Sequence, residues 1–167
     1  MAEDIINRVA QSKLVTIDPG DYYTPGKRIQ LDIKDWLYEG VVLREKDFRQ
    51  ALKEHDWNAY KDAYVAVNCS VDAIIPGWAF MLVASYLHSV CRKVVVGDME
   101  LLETVIYQEA LQTADFEQYK DLPVIVRGCT EKNIPKNAYI MLLATLQKFA
   151  KSVMYGEACS SVPLFKR

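Results

Sequence analysis

Tyr64-Val65-Ala66-Val67 is an unbroken apolar run that passes into Asn68-Cys69-Ser70 and then, after Pro76, into an apolar stretch reaching Ser89. A short apolar run without alternation reads as a strand covered on both faces, the kind that parallel sheets use. Pro76 suits the first turn of a helix, so a buried helix is expected from Pro76 to Ser89. Lys93-Val94-Val95-Val96 repeats the strand pattern. Asp98 can then cap a helix reaching about Gln112, with Leu101, Leu102, Val105, Ile106 and Ala110 turned inward. Pro123-Val124-Ile125-Val126 is a third such strand. Strands that recur every ~30 residues with a helix between them have the spacing of βαβ units. The reading is an α/β fold: a mainly parallel, mixed sheet with helices on both faces and right-handed crossovers.

Further out, the pattern is more varied. Leu14 to Ile17 looks like a short strand, Asp18-Pro19-Gly20 and Pro25-Gly26 are turn signals, and Ile29, Leu31 and Ile33 alternate with polar residues. Glu45 to His55 reads as a helix with Phe48, Ala51, Leu52 and His55 on one stripe. Pro135 to Val153 reads as one long amphipathic helix, and Ser161 to Phe165 as a last strand. These elements predict one α/β domain over residues 1–167, with a β-rich N-terminal elaboration (1–60) and a βαβ core (61–167). No internal repeat or low-complexity tract stands out.

A chain of 167 residues buries enough apolar surface to fold without a disulfide or metal. Twenty Lys and Arg against 22 Asp and Glu leave a net charge of -2, which argues against nucleic-acid binding, because phosphate contacts need a concentrated positive field. Met1-Ala2-Glu3-Asp4 lacks the basic start of a secretory signal. With four widely spaced cysteines and no C-x-x-C pair, the expected location is the cytoplasm, with the thiols reduced. Ala73 to Cys91 is long and apolar enough to need a membrane test. Its Pro76, Gly77, Ser85, His88 and Ser89, and the strand that runs into it, favour a buried helix over a span.

In open α/β sheets ligands bind beyond the carboxyl ends of the strands. That edge carries Cys69-Ser70 with Asp72, then Gly97-Asp98, then Arg127-Gly128-Cys129. Two thiols near helix starts invite a lowered thiol pKa, an anionic ligand, or a metal. A third sulfur, a histidine or a carboxylate would complete a site for zinc or iron. The plainer reading makes both cysteines buried fillers beside the sheet. Asp98 is read as a helix cap, and Asp72 as a loop residue open to ligation. His55 is either a packed histidine or a metal ligand. Cys91 follows a helix that ends at the amino edge and reads as filler. Topology alone puts Cys159 on that edge too, because a helix reaching Val153 would carry the chain away. Phosphate loops, dinucleotide fingerprints, H-E-x-x-H and G-x-S-x-G are absent.

Three blocks carry a family resemblance. The first is Asp32-Ile33-Lys34-Asp35-Trp36 with Glu45-Lys46-Asp47-Phe48-Arg49. The second is Cys69-Ser70, Asp72-Ala73-Ile74, Pro76 and Trp78-Ala79. The third is Gly128-Cys129 with Lys151-Ser152, Gly156-Glu157, Cys159-Ser160 and Val162-Pro163-Leu164. Together they resemble an uncharacterised bacterial family, domain of unknown function 2480. Ala158 and Ser161 depart from the proline and threonine of its pattern, without touching a sulfur or a charge. The resemblance implies that Cys69, Cys129 and Cys159 belong together while Cys91 does not. It also implies, from gene neighbourhood, a link to the machinery that assembles iron–sulfur clusters. The Gly156-Glu157-Ala158 turn would then bring Cys159 back to the site.

The leading expectation is an accessory protein of iron–sulfur or metal homeostasis. It would hold zinc or iron through Cys69, Cys129 and Cys159, with Asp72, His55 or water in fourth place, and work with iron–sulfur assembly proteins. One alternative is a thiol enzyme, a sulfur acceptor or transferase using Cys69 or Cys129. Another is a non-catalytic interaction module. Whether the protein is an enzyme stays open, as does a homo-oligomeric state; no nucleic-acid or membrane partner is expected.

Overall fold

The computed structural model describes residues 13–167; the N-terminal Met1-Ala2-Glu3-Asp4 reading lies outside them. The fold is α/β with mainly parallel strands, but these form two sheets rather than one. The chain divides into two compact units. A central unit, Pro25–Val105, is continuous. A split unit joins the described residues up to Thr24 to Ile106–Arg167. Neither boundary falls near residue 60.

The central unit is built as β2 (Arg28–Asp32), α1 (Glu45–Glu54), β3 (Tyr64–Asn68), α2 (Gly77–Leu87) and β4 (Lys93–Val96). Its sheet has the order β2-β3-β4, parallel throughout, with Arg28 opposite Tyr64 and Tyr64 opposite Lys93. Residues Tyr64 to Val67 are all buried, as a parallel strand covered on both faces requires. Val65 and Val67 meet Phe48 and Leu52 of α1 and Ala79, Val83 and Leu87 of α2 in one core. α2 keeps only one stripe inward: Ile74, just before it, is 96% exposed and Met81 75%. The buried helix expected here thus buries Ala79, Val83 and Leu87, and no helix among the described residues is long and apolar enough to cross a membrane. α3 (Met99–Thr113) starts here under the Asp98 cap, whose carboxylate accepts from the Leu101 amide at 2.8 Å.

One ion pair braces this unit. Arg28 Nε and Nη2 donate to the two carboxylate oxygens of Glu103 at 2.7 and 3.2 Å, and the side chains are only 10% and 18% exposed. A bidentate pair so shielded is costly to break from one side. Glu103→Ala is expected to lower the unfolding free energy by about 1–3 kcal/mol. Urea denaturation reads this; an unchanged midpoint would mean that the pair merely offsets its own desolvation.

The split unit is built from β1 (Val15–Ile17), the second half of α3, β5 (Pro123–Val126), α4 (Lys136–Phe149), β6 (Ser152–Glu157) and β7 (Ser160–Lys166). Its sheet order is β1-β5-β6-β7, parallel except for the final hairpin. That hairpin bulges between Val153 and Met154, where Pro163 lacks an amide to donate. The long helix expected to reach Val153 stops at Phe149. Val153 then lies in β6, opposite Val124.

The two units are copies of one pattern. Pairing Phe48 with Tyr107, at one constant offset along the chain, aligns Ala51-Leu52 with Ala110-Leu111. The same offset aligns Tyr60-Lys61-Asp62 with Tyr119-Lys120-Asp121, Ile75-Pro76 with Ile134-Pro135, and Gly97 with Gly156. The cores agree residue for residue: Leu52, Val65, Val67, Ala79, Val83 and Leu87 in one, Leu111, Val124, Val126, Ala138, Leu142 and Leu146 in the other. Backbone details agree as well. Asp62 and Asp121 hold left-handed φ values of 57 and 58, and their amides donate to the equivalent carbonyls of Val90 and Phe149, both at 3.0 Å. Asp56 and Asp115 cap equivalent turns, as do Asp32 and Asp18. The repeat escapes sequence inspection because the whole central copy is inserted between β1 of the second copy and the rest of it.

Candidate functional site

In the split unit the strands β1, β5 and β6 end side by side, so Asp18, Arg127 and Glu157 leave the same edge of the sheet. Arg127 ties the three ends together. Its Nη1 lies 3.1 Å from Asp18 and its Nε 3.7 Å from Glu157. The loop beyond Arg127 carries Cys129 and Thr130 along a cleft of about 500 Å³, which Asp18, Asp21 and Lys132 also line. Close approach shapes this edge of the sheet at two glycines. A Cβ on Gly20 would meet Thr130 Oγ1 at 2.5 Å, and one on Gly128 would meet the Tyr155 ring at 2.9 Å. Tyr155 packs edge-on against Tyr139, with ring centroids 6.1 Å apart. Burial pushes the Tyr139 phenol up from its ordinary value; Tyr155, Asp18 and Cys129 push it the same way. Tyr139 therefore stands as a neutral phenol.

Cys129 is exposed, and so is Cys159. Cys159 sits in the turn joining β6 to β7, on the same edge as Cys129. The placement on the opposite edge that topology suggested is thus corrected: it overlooked β6, which carries the chain back across the sheet.

The equivalent edge of the central unit holds Cys69, half-buried, whose thiol donates to the Val71 carbonyl at 3.6 Å. Asp32 Oδ1 accepts from the amides of Lys34 and Ser70, each at 3.1 Å. Burial works upward on this carboxyl. The hydrogen bonds from Ser70 and Lys34, with the Lys34 charge, outweigh it and hold the group below its usual range. Asp72 is exposed in the loop that follows. Neither cysteine stands at a helix N-terminus. α2 starts at Gly77 and α4 at Lys136, so both thiols lie beyond the first turn in which a helix dipole acts.

His55 is enclosed by rings. Trp57 and Trp36 meet it edge-on at 4.8 and 5.0 Å, and its Nε2 lies 3.0 Å from the Tyr60 hydroxyl. Desolvation lowers its pKa, against a smaller upward pull from Asp56. The neutral ring is thus the folded form, and the unfolded chain takes up a proton at a higher pH. Stability from His55 is full above the ordinary histidine value near 6.5 and is lost as the pH falls through the lower folded value. The Tm is expected to drop more steeply with acid in the natural protein than in His55→Phe, a contrast that differential scanning calorimetry at stepped pH reads. Parallel curves for the two proteins would refute it.

Cys69, Asp72 and His55 belong to the central unit, Cys129 and Cys159 to the split unit. Among the described residues no three His, Cys, Asp or Glu side chains are grouped so as to hold a metal ion. Sequence reasoning passed over Lys132, Tyr139 and Tyr155, whose only signal was proximity to the Cys129 loop.

These features define an α/β protein with an exposed thiol at the carboxyl edge of a parallel sheet. The chain belongs to the family described as protein of unknown function DUF2480, whose model matches residues 3–167. No curated protein and no solved structure matches it.

Proposed function

We propose that the protein is a cytoplasmic sulfur acceptor serving iron–sulfur cluster assembly, with Cys129 as the accepting thiol. The observation that carries this reading is the exposed Cys129 lining a cleft of about 500 Å³ beside Arg127 and Lys132. Arg127, already paired with Asp18 and Glu157, and Lys132 share the cleft lining with Asp18, Asp21 and Glu131, so the reading rests on the exposure of the thiol rather than on a positive field. The Cys129 thiolate attacks the outer sulfur of a donor persulfide, R–S–SH. The S–S bond of the donor breaks, R–S⁻ leaves with its electron pair and is protonated, and Cys129 becomes a persulfide. No net oxidation occurs.

Incubation with a small persulfide, then quenching and peptide mass analysis, tests this. The Cys129 peptide is expected to gain the mass of one sulfur atom, while the Cys91 peptide gains none. Elemental analysis of gently purified protein separates the competing proposal. Close to one equivalent of zinc or iron, lost in Cys129→Ser, would replace the acceptor reading by a metal-holding one.

A further inference from the structure

The duplication provides an internal comparison. In the central unit, the groove beside the end of α1 is filled by the protein's own rings. Tyr86 stacks on Trp57, with centroids 5.0 Å apart and planes 19° from parallel, and His55 lies against the same indole. In the split unit the equivalent positions are Thr145, Phe116 and Ala114. The ring that forms the floor is kept, while the two that fill the groove have become small. Thr145 does not reach across, because its hydroxyl donates to the Met141 carbonyl of its own helix at 2.9 Å. A cleft of about 540 Å³ opens there, with Leu111, Phe116, Met141 and Phe149 below and Asp115 and Lys148 at its rim.

We propose that this cleft is a binding site for a small planar aromatic molecule, which takes the space that Tyr86 and His55 occupy in the sister copy. The volume is that of a small-ligand site, ~300–1,000 Å³. The apolar floor suits a ring face, and the Met141 sulfur adds a favourable aromatic contact. Lys148 can lie over the ring or take a hydrogen-bond acceptor on it. The site is separate from the Cys129 cleft and does not depend on the sulfur-acceptor reading.

The test uses the full chain, labelled with ¹⁵N and titrated with indole. Saturable shifts are expected at the amides of Phe116, Thr145 and Phe149, with a dissociation constant on the order of a millimolar, as a ligand of this size allows. Thr145→Tyr restores the sister copy's filling ring and is expected to weaken binding at least ~10-fold with the spectrum otherwise preserved. If that variant does not fold, Ala114→His fills the same space and is read the same way. Absent or non-saturating shifts, shifts confined to another region, or binding that survives a folded filling variant would overturn the proposal.

Discussion

Cys129→Ser is expected to reduce sulfur uptake to background, while Cys91→Ser leaves it at the natural level. The argument rests on where each thiol stands. A serine hydroxyl at neutral pH does not attack a persulfide, because the reaction needs a thiolate and a soft nucleophile. Cys91 is half-buried, and desolvation raises its pKa, so its thiol stays protonated and shielded. Cys69 spends its S–H on the Val71 carbonyl. Only Cys129 and Cys159 are exposed, and only Cys129 lines the cleft with Arg127 and Lys132. Cys159→Ser is therefore expected to keep uptake and alter the release step, if a second thiol on the same edge reduces the Cys129 persulfide. That reduction would form a Cys129–Cys159 disulfide and expel hydrogen sulfide, balancing the two electrons. Mass analysis after persulfide treatment, without reductant, reads both species. Full uptake in Cys129→Ser, carried on Cys69, would move the site to the other copy.

The elements that sequence made legible are those with strong local signals. β3, β4 and β5 are continuous apolar runs, α1 has a clean stripe, and Asp98 caps α3 as its chemistry suggests. Partnership between strands was not legible. β5 pairs with β1 across the whole inserted copy, and parallel pairing leaves no turn signal to read. β6 was hidden for a different reason. Leu142, Leu146, Phe149 and Val153 keep helical spacing although the backbone turns extended at Ala150. No glycine or asparagine marks that stop, so the pattern runs on into the strand. The topology argument that set Cys159 on the opposite edge, against the family pattern, followed directly from that reading. The edge that carries the thiols was legible because it depends only on strand direction. The cleft was not, because Asp18 and Asp21 after β1 meet Arg127, Cys129 and Lys132 after β5 only through tertiary packing.

The largest stability effect is expected at Phe48. Its side chain is fully buried in the central core with Leu52, Ala79 and Val83, and Trp36 and Trp78 meet its ring edge-on at 5.9 and 6.1 Å. Phe48→Ala loses the ring's transfer energy and leaves a cavity that two large indoles close only in part. A cost of about 3–5 kcal/mol follows, against a total stability for a domain of this size of ~5–15 kcal/mol. Phe48→Tyr makes the sharper test. An added hydroxyl in a sealed core ordinarily costs about 1–3 kcal/mol when it finds no partner. The sister position is already a tyrosine: Tyr107 donates its hydroxyl to the Pro19 carbonyl at 2.9 Å. Pro19 is the counterpart of Ile33, since each follows a capping aspartate at the end of its first strand. If the copies are equivalent in depth as well as in pattern, a tyrosine at position 48 finds the Ile33 carbonyl in the same place. Phe48→Tyr is then expected to cost well under ~1 kcal/mol by urea denaturation. A penalty near that of Phe48→Ala would mean that the two cores share their sequence pattern without sharing their geometry.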